Sequence, residues 1–189
     1  MEKKDTIGRK QLKITSLLED LKSDDVKIVK TAIEGLEIIG EPTIIETVIK
    51  ELEPSTPSEK NTVILEFLFC IKNPRAKKSI MDIIIAPENT DRRQLILSSI
   101  WNSTLDYSEY LDTFVKIAIE GSFMETLECL TIIENMEGPF SEKNVMESHV
   151  LLSECKTNDF DKQKMQFLSE IALKIKDFQQ TVDSDNDLD

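Results

Sequence analysis

The feature that most constrains this fold is a recurrence of hydrophobic residues every 32 positions. The recurrence covers two aligned sets, Ile33, Leu65, Leu97 and Cys129 and, three residues later, Leu36, Leu68, Ile100 and Ile132. Around these positions the apolar residues are spaced by three and four, which is typical of amphipathic helices. A repeat of this length predicts stacked helical units, because one unit alone cannot bury all of its apolar surface.

Each repeat predicts two helices joined by a short turn. In the stretch EGLEIIGEPTIIETVIKEL, Gly40 ends one apolar helix and Pro42 begins the next. Helices of about 12–15 residues are marginal alone in water, so each needs a neighbouring layer to bury its apolar side.

The same start and stop signals divide the rest of the chain. They predict a lead-in helix near residues 10–22, a C-terminal capping helix over 159–180, and hairpins at about 24–53, 57–86, 89–120 and 122–155. We expect one domain over 1–180 and a disordered acidic tail over 181–189.

The second helices follow the repeat with a drift in spacing from 32 to 34 and then 35 residues. This alignment places His149 in the same position as Val48, Ile80 and Phe114, which face the core. We therefore predict that His149 is a partly buried histidine in an atypical terminal repeat.

The stretch DDVKIVKTAIEGLEIIGEPTIIETVIKEL resembles one HEAT repeat, especially the short HEAT-like repeats of the phycobilisome-lyase type. The residues that match the family pattern are Asp24 or Asp25, Val26, Ala32, Leu36, Gly40, Glu41 and Pro42. The second unit keeps Asn73-Pro74, and the third and fourth units match in periodicity only. The resemblance covers about residues 24–155 and implies an all-α, right-handed superhelical array of about four helical hairpins.

Composition and charge narrow the class of protein. Of 189 residues, 40% are hydrophobic and 31% are charged, as in a folded water-soluble domain. The net charge of −13 disfavours nucleic acid and anionic membranes as partners. The sequence shows neither a secretory signal nor a membrane-spanning stretch. Three widely spaced cysteines favour a reduced, cytoplasmic protein that uses them as small hydrophobic residues.

Motifs for catalysis or for cofactors are absent from the sequence. His149 is the one histidine, so no Cys/His zinc motif and no histidine-based triad can be assigned, and no glycine-rich phosphate loop occurs. The tail from Asp183 to Asp189 resembles the first half of a calcium loop, but Leu188 stands where that loop needs glycine. We predict a non-catalytic protein without metal or cofactor.

The outward face of the second helices is the predicted recognition surface. One row consists of Glu46, Lys78, Asp112 and Glu147, and a neighbouring row contains Lys50, Asp82 and Lys116. The HEAT resemblance implies that second helices line the concave side of the array, where such proteins grip partners. The alternative is an ordinary charged helix surface.

A basic cluster is a second candidate site. It comprises Lys72, Arg75, Lys77 and Lys78 at the start of the fifth helix, and Arg92 and Arg93 at the start of the sixth. We hypothesise that this cluster receives an acidic partner segment or an anion. A solvated surface is the alternative.

The function predicted from these features is a cytoplasmic binding or scaffolding module that recognises a protein partner of unknown identity. One alternative is a HEAT-like enzyme or accessory factor, acting in chromophore attachment or as a DNA glycosylase. Another is a regulatory subunit of a larger assembly.

Overall fold

The chain folds into α-helices, as predicted. The computed structural model describes residues 2–39, 42–55, 58–155 and 161–186, and no strand occurs among them. The helices are α1 (Glu2–Asp20), α2 (Val26–Ile39), α3 (Ile45–Lys50), α4 (Glu59–Cys70), α5 (Ala76–Ile85), α6 (Arg93–Ile100), α7 (Leu111–Glu120), α8 (Phe123–Glu134), α9 (Glu142–Glu154) and α10 (Lys162–Asn186). The predicted turn residues Gly40 and Glu41, together with Pro57 and Asp159, lie outside the described residues.

Short polar residues begin several of these helices, because the first N–H groups of a helix have no partner inside it. Ser58 and Ser141 each accept a hydrogen bond from the backbone N–H three residues later. Ser122 and Glu125 form a reciprocal capping box at the start of α8. Asp161 accepts a bond from the Lys164 N–H at 2.8 Å. The starts of α4, α8 and α10 lie within three residues of the predicted bounds at 57, 122 and 159.

The helices form two compact units, Met1–Leu105 (unit 1) and Asp106–Asp189 (unit 2). In unit 1, the first helices of successive hairpins contact one another, α2 with α4 and α4 with α6. The second helices α3 and α5 contact each other in the same way, and α1 packs on α2. Gly35 permits that packing, because a Cβ at this position would lie 2.9 Å from the Leu17 side chain.

Unit 2 holds four helices around a core of its own. Helix α7 packs against α8 and α9, and α10 packs against α8 and α9. The buried stripe on α10 comprises Leu168, Ile171 and Ile175. The predicted capping helix therefore covers its neighbours within unit 2.

Burial follows the repeat in the first helices of the hairpins. Of the eight aligned hydrophobic residues, seven are buried, and Leu65 is the exception. Leu65 is half-buried because the preceding residue, Ile64, takes the core position and is completely buried. The buried stripe on α4 thus consists of Ile64, Phe67 and Leu68, and only the Leu65 position departs from the predicted alignment.

Polar side chains tie successive hairpins together through the backbone. The Asn61 amide donates to the Glu53 carbonyl at 2.8 Å and accepts from the Glu53 N–H at 2.9 Å. Thr126 donates to the Ala118 carbonyl at 2.8 Å. Thr126 thus binds a carbonyl in the last turn of α7, where carbonyl groups lack partners within the helix, and Asn61 binds the backbone just beyond the end of α3.

Both ends of the helical region extend beyond the prediction. Helix α1 begins at Glu2 rather than near residue 10, because no proline interrupts this segment and its lysine and glutamate residues favour helix. Helix α10 continues to Asn186, so residues 181–186 are helical rather than a disordered tail. The cause is Val182, which is buried and extends the apolar stripe by two turns beyond Ile175. Residues 187–189 lie outside the described chain.

None of the described helices is long and apolar enough to cross a bilayer.

Candidate functional site

In unit 1, the predicted recognition residues lie on two neighbouring helices, α3 and α5. Both helices bury an apolar side, and Glu46, Lys50, Lys78 and Asp82 are exposed. The Lys50 ammonium lies 2.7 Å from Glu46, and the Lys78 ammonium lies 2.8 Å from Asp82. Each pair is one helical turn apart, so the pairs contribute little stability and give the surface a regular charge pattern.

In unit 2, the corresponding residues lie on α7 and α9, which also contact each other. Lys116 and Glu147 are exposed, and Asp112 is half-buried. Glu147 lies 3.6 Å from Lys143, and Lys116 lies 4.0 Å from Glu120. The structure therefore places Asp112 and Glu147 on adjacent helices, close enough for the Glu147 carboxylate to act on the Asp112 carboxyl group.

Asp112 combines partial burial with a neighbouring carboxylate. Burial raises the pKa of its carboxyl group above the ordinary value, and the nearby Glu147 carboxylate acts in the same direction. The backbone N–H groups of Asp112 and Thr113 and the Lys143 ammonium oppose the rise in pKa. Ionisation of Asp112 is therefore less favourable in the folded protein than in the unfolded chain.

The structure corrects the orientation of α9. His149 is exposed rather than core-facing, and the adjacent Ser148 is completely buried. The spacing from α7 to α9 is therefore 34 residues instead of 35, since Leu111 and Phe114 then align with the buried Val145 and Ser148.

With this spacing, Asp112 aligns with Met146 rather than with Glu147, and Lys116 aligns with Val150. Met146 and Val150 are exposed, and the sequence analysis did not include them in the site. The signal that could have identified them is their apolar character at positions where the other second helices carry charges.

The basic cluster does not act as one free surface. The Arg92 Nε donates to the Leu52 carbonyl at 3.0 Å, and the Arg93 Nε donates to the Ile84 carbonyl at 2.9 Å. Both arginines thus bind the ends of preceding segments in the chain. Lys72 and Arg75 are exposed, and Lys77 is half-buried.

Two cavities in unit 1 contain residues of the predicted sites. A cavity of about 450 Å³ is lined mainly by apolar residues of α2, α3, α4 and α5 and of the segments beside them, with Glu37, Lys72 and Asn73 as its polar residues. A more polar cavity of about 400 Å³ is lined by both Lys50, from the predicted recognition rows, and Arg92, from the basic cluster. Neither cavity was predicted, because each is formed by segments distant in the sequence.

The cysteines differ in their surroundings. Cys129 is buried, as predicted for a small hydrophobic residue, whereas Cys70 is exposed and lines the larger cavity. Cys155 is half-buried, and all three are free thiols. Within the described parts of the chain, no three His, Cys, Asp or Glu side chains are grouped so that they could hold a metal ion.

Comparisons with protein-family models, with curated proteins and with solved structures found no match to this chain. The assignment of the site therefore depends on its own geometry.

Proposed function

We propose that this protein is a non-catalytic, HEAT-like helical-repeat module that binds a protein partner through the outward faces of its second helices. The observation that carries the proposal is shared by both units. Each second helix buries one side and presents charged residues on the other, many of them paired within the same helix.

Such a surface is suited to recognition because it is organised before binding. Side chains already held in ion pairs on a packed helix lose less freedom when a partner binds. Their charges select a partner of complementary pattern and speed its association. We further propose a cytoplasmic location, where the three free thiols would stay reduced.

Affinity capture with the full chain tests this proposal. The test variant exchanges the charges on the second helices α3 and α5 (E46K/K50E/K78E/D82K). This exchange reverses the pattern while it preserves the net charge and the pairing within each helix. The matched control, K30E/E34K, exchanges two exposed charges at the same spacing on the first helix α2.

We expect wild-type protein and the α2 control to retain a common partner, and the second-helix variant to lose it. The affinity for the identified partner, measured by calorimetry, should fall about tenfold or more in the second-helix variant, equivalent to about 1.4 kcal/mol. A partner that the second-helix variant retains and the α2 control loses would contradict the proposal.

A further inference from the structure

An exposed apolar pair interrupts the charged pattern of the second helices in unit 2. Met146 and Val150, one turn apart on α9, are 57% and 47% exposed. In α7 the aligned residues are Asp112 and Lys116, and each second helix of unit 1 has an ion pair at the corresponding positions. Hydrophobic side chains on the outer face of a helix mark a surface that another molecule can cover.

The surroundings of this pair are acidic. Unit 2 contains 19 acidic and 7 basic residues, whereas unit 1 contains 17 and 16, so nearly all of the net negative charge belongs to unit 2. On α9 itself, three glutamates are exposed, namely Glu142, Glu147 and Glu154. The helix has one lysine, Lys143, which already pairs with Glu147.

The half-buried Asp112 lies on the neighbouring helix, close to Glu147. Burial and the Glu147 carboxylate disfavour its ionised form and raise its pKa. A cation supplied from outside would therefore be stabilised at this place.

We infer that the outward faces of α7 and α9 bind a basic amphipathic helix of a partner protein, whose apolar residues cover Met146 and Val150 while its lysine or arginine side chains face the surrounding carboxylates. This inference rests on the proposed function and names the chemistry of the partner. An apolar stripe of residues at i and i+4 matches the one-turn spacing of Met146 and Val150. Two helices that contact side by side also offer a shallow groove in which a third helix packs.

The acidic field favours this occupant over others. Phosphate groups of nucleic acids or anionic lipids would be repelled by it. A second copy of the chain would bring an equally acidic face if the same surfaces met. A basic helix gains both from apolar contact and from charge complementarity.

Fluorescence anisotropy with a synthetic helix tests the inference on the full chain. The probe is a labelled peptide of about 18 residues with leucines on one helical face and lysines elsewhere. A peptide with glutamate in place of every lysine is its control. The protein variant is M146E/V150K, which restores the charge pair of the other second helices and leaves the net charge unchanged. The matched control L173Q removes an exposed leucine from α10.

We expect saturable binding of the basic peptide that weakens with added salt and is about tenfold or more weaker in M146E/V150K. Binding to L173Q should equal that of wild type, and the acidic peptide should not bind. Equal affinity of wild type and M146E/V150K would overturn the inference, because overall charge alone would then explain the binding. Absence of binding to wild type would overturn it as well.

Sedimentation velocity tests whether a second copy of the chain, rather than a basic helix, covers Met146 and Val150. A wild-type dimer that M146E/V150K converts to a monomer would overturn the inference, since a second copy would then cover the pair. A monomer in both cases supports it. Failure of this inference can be distinguished from failure of the proposed function, because the capture experiment changes residues on α3 and α5 only, whereas the peptide experiment changes residues on α9. Its failure would leave peptide binding to unit 2 unaffected.

Discussion

Individual polar side chains at equivalent positions perform the same structural task in different repeats. Asn61 and Arg93 are 32 residues apart, and each binds a carbonyl near the end of the preceding second helix. In unit 2, Lys164 on α10 likewise binds the end of a second helix, although that helix is α7 rather than the preceding α9: its ammonium donates to the carbonyls of Ile119 and Gly121 at 2.9 and 2.6 Å. Helix ends leave such carbonyls without a partner inside the helix, so the repeat supplies one from the next helix.

These contacts could not be predicted from the sequence. Arg92 and Arg93 form a basic pair in the sequence, and charge alone suggested a surface for anions. Their guanidinium groups instead bind carbonyls 40 and 9 residues away, which local patterns do not reveal. In contrast, the capping serines were predictable, because a cap and its helix are adjacent in the chain.

The Asp112 carboxyl predicts a pH dependence of stability. Because its folded-state pKa is raised, the folded protein binds more protons than the unfolded chain between the ordinary pKa of 3.8 and the raised value. The contribution of Asp112 to the free energy of unfolding therefore falls as the pH rises from 3.8 through the raised pKa. We expect D112N to be more stable than wild type at neutral pH.

Urea denaturation at several pH values measures this effect. The difference in the free energy of unfolding between D112N and wild type should shrink as the pH falls towards 3.8. E142Q, which removes one exposed carboxylate from α9, controls for the loss of a negative charge in unit 2. A D112N variant less stable than wild type at neutral pH would show that ionised Asp112 stabilises the fold.

Entire helices were easier to predict than their orientation. The ten α-helices among the described residues were all anticipated, because proline, glycine and capping residues separate long apolar stripes. The orientation of α9 was wrong by one residue, since its apolar residues are too evenly distributed to define one face. The residue that α9 buries at this point is Ser148 rather than His149. The Ser148 hydroxyl group donates to the Asn144 carbonyl at 2.7 Å. A serine whose hydroxyl group has a hydrogen-bond partner in its own helix can be buried in the core.

A matched pair of substitutions on α9 tests its orientation. S148D would place a charge at a completely buried position and should cost several kcal/mol, about 3–5 if no partner is found. H149D, one residue along, should change the free energy of unfolding by about 0.5 kcal/mol or less, because the side chain is exposed. Chemical denaturation of both variants decides the matter. The reverse order of effects would restore the orientation predicted from the sequence.

At the scale of the whole molecule, the hydrophobic repeat carried the prediction furthest. The helix neighbours in unit 1 follow from it, with first helices against first helices and second helices against second helices, and in unit 2 the second helices α7 and α9 contact each other. Charge adds a division that the repeat does not express, because unit 1 is nearly neutral and unit 2 is strongly acidic. The spacing of apolar residues cannot indicate which unit would receive a charged partner, whereas the distribution of acidic residues is the reason why we propose unit 2 for a basic one.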